Sequence, residues 1–336
     1  MSWYKNCGDI AISTRIRIAR NIKNLPFPHK MDNEQIAALN NMVKTALEDK
    51  EFSFGKLSFI LADNAKSEVP SMVERHIISP DFAGAYSGKA MLLSADETVS
   101  VMLAEEDHIR IQVILGDNNL EKALSIAQEV DEVLKDKLDI AFSDDLGYLT
   151  ACPTNLGTGL RASLMLHIPA IESMGAISSL KESISKIGFT LRGLYGEGSS
   201  GEGGFYQVSN QVTLGLLQED AVKNLQGIAE QIIAREKSAR SELNKEKLED
   251  TVYRALGILK SARILSIAET AKLISRIKLG VSVGILKDID SSLPIEIFIE
   301  TKPNMLQSKN GILTPNDRDI LRACLIREKL KECETY

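Results

Sequence analysis

Between residues 31 and 50, Ile36, Leu39, Met42, Val43 and Leu47 recur at helical spacing among polar neighbours, a pattern that predicts an amphipathic helix. From residue 56 the period changes. The runs KLSFILA, AMLLSA, TVSVMLA and HIRIQVIL are short, rich in branched residues and separated by polar turns, which predicts antiparallel strands. Helical spacing returns at about 119–138, where Leu120, Ala123, Leu124, Ala127, Val130 and Leu134 share a face, and strand-like runs follow at 146–151, 163–168 and 205–214. The order predicts an α+β domain, an antiparallel sheet flanked by helices.

After about residue 218 the pattern is helical. The stretch 219–276 is glycine-poor and proline-free, with Val222, Leu225, Ile228 and Ile232 set among many charges. RSELNKEKLED, near Ser241, is a strongly polar interval between two apolar-periodic helices, so a boundary is expected there, with an α+β unit at 1–240 and a helical C-terminal unit at 241–336. Thr314, Pro315 and Asp317 supply an N-cap, a proline at the first helical position and an acid at the third for the last helix. No internal repeat or low-complexity tract is evident.

Composition narrows the classes. With 336 residues and 44% apolar content the chain can bury two cores and is not intrinsically disordered. No apolar run reaches the roughly 18 residues that would span a bilayer, and the start, MSWYKNCGDIAISTRIR, shows no secretory signal, so a cytoplasmic protein without membrane attachment is expected. A net charge of -6 excludes a generally basic nucleic-acid binder, leaving open only a local basic cluster. Cys7, Cys152, Cys324 and Cys333 are scattered without a CxxC pair or ligand-spaced histidines, against both a disulfide scaffold and a zinc site.

Candidate chemistry lies in five places. In STRIRIARN, at 13–21, Arg15 and Arg17 alternate with Ile16 and Ile18; an extended chain puts both guanidinium groups on one face, although a solvated strand face would look the same. AEEDHIR, at 104–110, sets Glu105, Glu106 and Asp107 at an expected hairpin turn with Arg110 just inside the next strand, either simply solvated or able to orient and deprotonate a cationic nucleophile. ACPTNLGTGLRAS, at 151–163, runs from Cys152 through Gly157 and Gly159 to Arg161. Its glycines suit a backbone anion nest or merely a tight turn, and its thiol is either a small buried apolar group or, beside arginines, an electrostatically useful one. LRGLYGEGSSGEGGFYQVSN, at 191–210, follows Arg192 with six glycines in residues 193–204, flanking Glu197 and Glu202, and reads as a lid that delivers a carboxylate or as a plain connector. Finally, Arg318 and Arg322 stand four apart on one helix face, either as a paired binding element or as plain solvated helix charge. Arg15, Arg17, Arg110, Arg161 and Arg192 suggest a nucleotide-phosphate site built from guanidinium groups, since neither a GxxxxGK[ST] loop nor HRD and DFG triplets occur.

STRIRIARN, EEDHIR, CPTNLGTGLRAS, the RG…EGG loop and SNQVTLG, in this order over about residues 10–240, resemble the ATP:guanidino phosphotransferases, the creatine and arginine kinase family. The resemblance implies ATP and Mg²⁺ as cofactors, the metal held mainly by ATP rather than by protein ligands. It also implies phosphate binding by Arg15, Arg17, Arg110, Arg161 and Arg192, and a guanidinium gripped by Glu106 and Glu197, with Glu105 and Cys152 beside it. Three departures matter. STRIR begins at residue 13, without the helical domain that encloses a free metabolite in the small-molecule kinases; Met165 occupies the place of an adenine-contacting histidine; and the helical extension from about 241 has no counterpart in creatine kinase.

These departures resemble the bacterial protein arginine kinase branch, in which an RDxxRA motif is associated with phosphoarginine recognition; here it reads Arg318, Asp319, Ile320, Leu321, Arg322 and Ala323. That likeness implies transfer of the ATP γ-phosphoryl group to arginine side chains of proteins, a stress-response setting, a heat-shock repressor among the substrates, an activator protein, phosphoarginine marking for a Clp protease, and a homo-oligomer. A kinase of free arginine or another small guanidino compound, and a non-catalytic phosphoarginine-binding regulator, are the competing readings.

Overall fold

The computed structural model describes residues 2–193 and 202–331; Glu197 and Cys333 lie outside them. Eight strands form one antiparallel sheet in the order β2-β3-β4-β5-β1-β8-β10-β9: β1 (Ala11–Arg20), β2 (Leu57–Leu61), β3 (Ala90–Ser94), β4 (Val99–Leu103), β5 (Ile109–Gly116), β8 (Leu160–His167), β9 (Phe189–Gly193) and β10 (Phe205–Asn210). β6 (Phe142–Ser143) and β7 (Gly147–Tyr148) make a separate small hairpin. The helices are α1 (Asn33–Leu47), α2 (Val69–Glu74), α3 (Pro80–Gly84), α4 (Leu120–Lys137), α5 (Pro169–Ser173), α6 (Ile177–Ser185), α7 (Gln218–Ser241), α8 (Lys245–Ser261), α9 (Ile267–Ser282), α10 (Leu293–Glu300), α11 (Pro303–Asn310) and α12 (Pro315–Lys331).

The apolar stripes go where their periods point. Leu39, Val43 and Leu47 of α1 join Leu120, Ala123, Ala127, Val130 and Leu134 of α4 and the inner residues of α7 against one face of the sheet, which presents Ile16, Ile18, Ile111, Val113, Leu164 and Val208. Asp32 and Gln35 close a reciprocal capping box at the start of α1. A second apolar cluster joins α8, α9, α10 and α12. Thr314 and Asp317 exchange side-chain and backbone hydrogen bonds at the start of α12, the cap expected there.

Two strand expectations need correction. The run at 146–151 contributes only the short arm β7 rather than a strand of the main sheet, because Gly147 takes φ 71° and Tyr148 turns its ring beneath the Arg20 guanidinium at 3.4 Å. The run at 205–214 pairs only to Asn210, whose side chain accepts from the Ala162 amide (2.8 Å) and donates to the Leu160 and Val212 carbonyls, so residues 211–214 leave the sheet.

The helices after residue 241 pack directly on the sheet unit. Trp3, Tyr4, Ile12, Ile114 and Phe205 share an apolar cluster with Ile295 and Ile299 of α10. Arg240 donates to Glu236 (2.9 Å), Asp9 (3.2 Å), the His167 carbonyl (3.2 Å) and the Ser282 hydroxyl, while Glu236 accepts from the Ala170 and Ile171 amides. Gly203 takes φ 75°, and a Cβ there would lie 2.8 Å from the Ala271 carbonyl, so only glycine lets the chain returning into β10 lie this close to α9.

Under the sheet, Arg20 and Asp131 form a two-bond pair, Nε–Oδ1 and Nη2–Oδ2 both at 2.8 Å, with neither side chain more than 1% exposed. Replacing one partner strands the other charge. We therefore expect Asp131→Ala to cost about 3–5 kcal/mol in urea unfolding; a loss below 1 kcal/mol would show the pair is not holding α4 to the sheet.

Candidate active site

Residues directly opposite each other in an antiparallel pair project from the same face of the sheet. Arg17 faces Arg161, Arg15 faces Ser163 and Ala19 faces Arg110. Gln207 stands opposite Met165 on one side and Arg192 on the other. Register alone thus places all five sequence-selected arginines on the face opposite the one packed on α1, α4 and α7.

Each is held differently. Arg110 donates to Glu105 at 2.6 Å and to Glu106 at 3.0 Å. Arg15 Nη2 reaches Gln207 Oε1 at 3.2 Å, and Arg161 Nη2 reaches Ser209 Oγ at 3.3 Å. The Nε atoms of Arg17 and Arg161 are buried with no hydrogen-bond partner in the protein. Burial, then repulsion from Arg161 and Arg110, pulls Arg15 down to about 10; burial and the neighbouring arginines hold Arg17 well below the ordinary guanidinium range, and Arg161 is lowered by burial, Arg192 and Arg110. Orphaned donors and crowded cations suit a polyanion, whose oxygens would pair with both.

Three adjoining cavities follow this face. One, about 270 Å³, is lined by Arg15, Arg17, His76, Ile78, Met165 and Gln207 among others. A second, about 240 Å³, shares Arg17 and adds Arg110, Arg161, Glu106, Cys152 and Asp81. The third, about 260 Å³, shares Arg161, Thr154 and Asn155 with the second and adds Arg192 and Thr213. Polar lining dominates the middle one, whereas the first mixes apolar side chains with a ring.

The acidic turn divides its labour. Asp107 is fully buried and accepts from Asn21 Nδ2 and the Ala151 amide, both at 2.7 Å, so it ties the turn to β1 and to the approach to Cys152. His108 accepts the Ile22 amide on Nδ1 (2.9 Å), which leaves Nε2 to donate to the Pro26 carbonyl (2.7 Å); burial lowers its pKa and keeps it neutral. Glu105 is buried between Arg110 and the Ser79 hydroxyl. Glu106 alone of the three acids is exposed, and it lines the middle cavity with Cys152, whose Sγ lies 3.0 Å from Thr154 Oγ1.

The glycine turn before Arg161 is a tight loop and not an anion nest. The amides of Gly157, Thr158, Gly159 and Leu160 are all spent on protein acceptors: the Tyr148, Thr213 and Asn155 carbonyls and the Thr158 hydroxyl. Gly159, at φ 64°, lets the turn approach the Ala19 carbonyl to where a Cβ would clash at 2.6 Å. Its work is to lead β8 in so that Arg161 lands opposite Arg17.

Arg192, next to last in β9, has an exposed side chain on the third cavity. In the C-terminal motif, Arg322 is not solvated helix charge: it is 1% exposed and donates to the Thr301 (2.9 Å) and Leu265 (2.6 Å) carbonyls and to Asp319. Arg318, one turn earlier, is half-buried. Among the described residues no group of three His, Cys, Asp or Glu side chains gathers as a metal site, and no helix is long and apolar enough to cross a membrane.

Sequence reasoning missed four residues. His76 takes φ 60°, leaves Nε2 buried without a partner and lines the first cavity; burial, Lys302 and Arg15 hold it neutral. Ser79 and Asp81 arrive from the loop before α3 and from its first turn, too far in sequence from the arginines to be linked to them by spacing. Arg20 falls on the isoleucine side of the STRIRIARN alternation, and from that face it pairs under the sheet with Asp131.

Residues 37–239 match the family model for the ATP:guanido phosphotransferase C-terminal catalytic domain, and residues 245–336 that of the protein-arginine kinase McsB C-terminal domain. The chain is 43% identical to the protein-arginine kinase of Bacillus subtilis over 98% of its own length and 93% of that protein's, and 44% identical to that of Halothermothrix orenii over 96% and 93%. Among solved structures it is similar to the duplicated taurocyamine kinase of Schistosoma mansoni with bound transition-state-analogue components (TM-score 0.63, 23% identity, 87% of this chain and 41% of that one) and to lombricine kinase (TM-score 0.59, 20% identity, 71% and 70%), likenesses of fold. An eight-stranded antiparallel sheet with an arginine-bearing face, two matched family models in tandem and relatives of this identity over nearly the whole chain together place it in the protein-arginine kinase family of ATP:guanido phosphotransferases.

Proposed function

We propose that the chain transfers the ATP γ-phosphoryl group to arginine side chains of proteins, with residues 1–240 as the catalytic unit and 241–336 as a helical regulatory unit. The observation that carries the reading is the pair of buried, unpartnered Nε donors on Arg17 and Arg161 beside the exposed Glu106 and the Cys152 thiol in one cavity. Phosphate oxygens and a guanidinium, the two reactants, are complementary to these two halves.

In this reading Arg15, Arg17, Arg110, Arg161 and Arg192 bind the polyphosphate, and the first cavity, with the neutral His76 ring and Met165, takes the nucleoside. Mg²⁺ carried with ATP, and held mainly by the nucleotide, would offset further phosphate charge. A guanidinium is a poor nucleophile because its lone pairs are delocalised and its pKa exceeds 12. Glu106 orients it and takes the proton as the P–N bond forms and the bond from Pγ to the β,γ-bridging oxygen breaks, releasing ADP. Glu105 positions Arg110, and Cys152 stands beside the acceptor. Glu197, outside the described residues, is proposed as the second carboxylate on the acceptor.

For the C-terminal motif we propose that Arg322 and Asp319 build the floor of a phosphoarginine site and Arg318 takes the ligand, since the Arg322 donors are already committed to backbone. A cytoplasmic role in stress response, with a heat-shock repressor as substrate, an activator protein, delivery to a Clp protease and a homo-oligomeric assembly, belongs to the same proposal and rests on family likeness alone.

Incubation with Mg-ATP and either free arginine or an arginine-rich protein, followed by mass spectrometry that preserves the acid-labile P–N bond, is expected to show phosphoarginine in the protein; product in free arginine alone would make the enzyme a metabolite kinase. Glu106→Gln should remove transfer and spare ATP binding, and unchanged turnover would remove Glu106 from the chemistry. Because the guanidinium groups repel one another, Arg17→Met should raise unfolding stability by about 0.5–2 kcal/mol while weakening ATP binding at least tenfold. A less stable variant would mean the crowding is already neutralised within the protein.

A further inference from the structure

Six of the fifteen large apolar side chains exposed among the described residues, Phe142, Leu146, Val212, Leu214, Leu216 and Leu217, fall in two short segments. These segments, 142–148 and 211–217, meet across the glycine turn. The Tyr148 amide donates to the Gly157 carbonyl (2.8 Å), the Thr158 amide to the Thr213 carbonyl (3.0 Å), and the Thr213 hydroxyl to the Leu156 carbonyl (2.7 Å); a Cβ on Gly157 would sit 2.8 Å from Leu214 Cα. The Phe142 ring packs on Tyr148 at 5.1 Å, and Tyr148 is pinned by Arg20. The apolar surface is therefore preformed, and an exposed cluster of this kind marks an interaction site.

Two observations identify the occupant. The surface runs into the transfer groove, because Thr213 lines the cavity that holds Arg161 and Arg192, and Thr154, to whose carbonyl the Thr213 hydroxyl bonds at 3.0 Å, lines the cavity that holds Cys152 and Glu106. Its charge has one sign: Asp144 and Asp145 at the hairpin tip and Glu219 and Asp220 in the first turn of α7 are exposed, and neither 142–148 nor 211–220 contains a lysine or arginine. An extended chain advances about 3.3 Å per residue, so a few residues beyond an arginine in the middle cavity would lie over this patch.

We propose that the β6–β7 hairpin and residues 211–217 form the docking surface for the protein substrate, binding an extended segment next to the target arginine that carries apolar side chains and positive charge. The inference rests on the protein kinase reading and names the local sequence that the site selects.

The test uses the full chain and two synthetic peptides with one central arginine, flanked by leucine, phenylalanine and lysine in one and by serine and aspartate in the other. The unsubstituted enzyme should favour the first by at least about tenfold in kcat/KM, the size of discrimination that apolar contacts supply. Leu214→Ser with Leu217→Ser should bring the ratio near one through KM for the first peptide, leaving the KM for ATP in place. Phe142→Ser, on the other segment, should lower the ratio independently, and Asp144→Asn with Asp145→Asn should remove the share due to lysine. Equal use of both peptides by the unsubstituted enzyme overturns the docking surface while leaving arginine phosphorylation standing; no phosphoarginine in either peptide or in any protein overturns both. A variant that changes sedimentation of the free protein with the ratio intact assigns the patch instead to contact between copies of this chain.

Discussion

Like charges on one sheet face set the terms for everything around them. Two guanidinium groups about 4 Å apart repel by about 4 kcal/mol at the effective dielectric of a protein surface, and this face carries five. The cluster holds because each strand is fixed by its neighbours and three of the side chains by separate anchors: Gln207 for Arg15, Ser209 for Arg161, Glu105 and Glu106 for Arg110. The greasy side of the sheet, packed on α1, α4 and α7, supplies the stability that the charged side spends. A polyphosphate entering such a face meets cations that are already desolvated and need little reorganisation, the condition under which electrostatic stabilisation of a transferring phosphoryl group is strongest.

Many polar groups near the site are committed to structural bonds within the protein. His108 is locked as a neutral ring between two backbone groups, Asp107 is consumed by Asn21 and Ala151, and the amides of the glycine turn are spent within the protein. What stays exposed at the middle cavity are two acids, Glu106 and Asp81, with a half-buried thiol, Cys152, beside them. Motifs that read as uniformly chemical are thus mostly scaffolding around a few reactive groups.

Much of this was legible in advance, for a physical reason. Strand alternation is a local property, so Arg15 and Arg17 declare a shared face from spacing alone, as do the stripes of α1 and α4. The joining of Arg161 and Arg192 to them depends on register between distant strands, which the residues do not state and the family likeness suggested. His76, Ser79 and Asp81 were invisible because they reach the groove from loops and very short helices with no period to read. The burial of Arg322 was missed for a related cause: a 17-residue helix with charges all round gives no hint which arginine is turned inward, and only the free carbonyls of Leu265 and Thr301 decide it.

The close seating of Gly203 on the Ala271 carbonyl has an evolutionary corollary. Two matched segments in one chain suggest modules that could be exchanged or trimmed, yet the return of the glycine-dense segment into β10 rests on α9, and Trp3 and Phe205 share their packing with Ile295 and Ile299. Such a chain should melt as one cooperative unit. Its ancestry can be modular while its thermodynamics is not, and a substitution in α9 is inherited by the catalytic half as directly as one in the sheet itself.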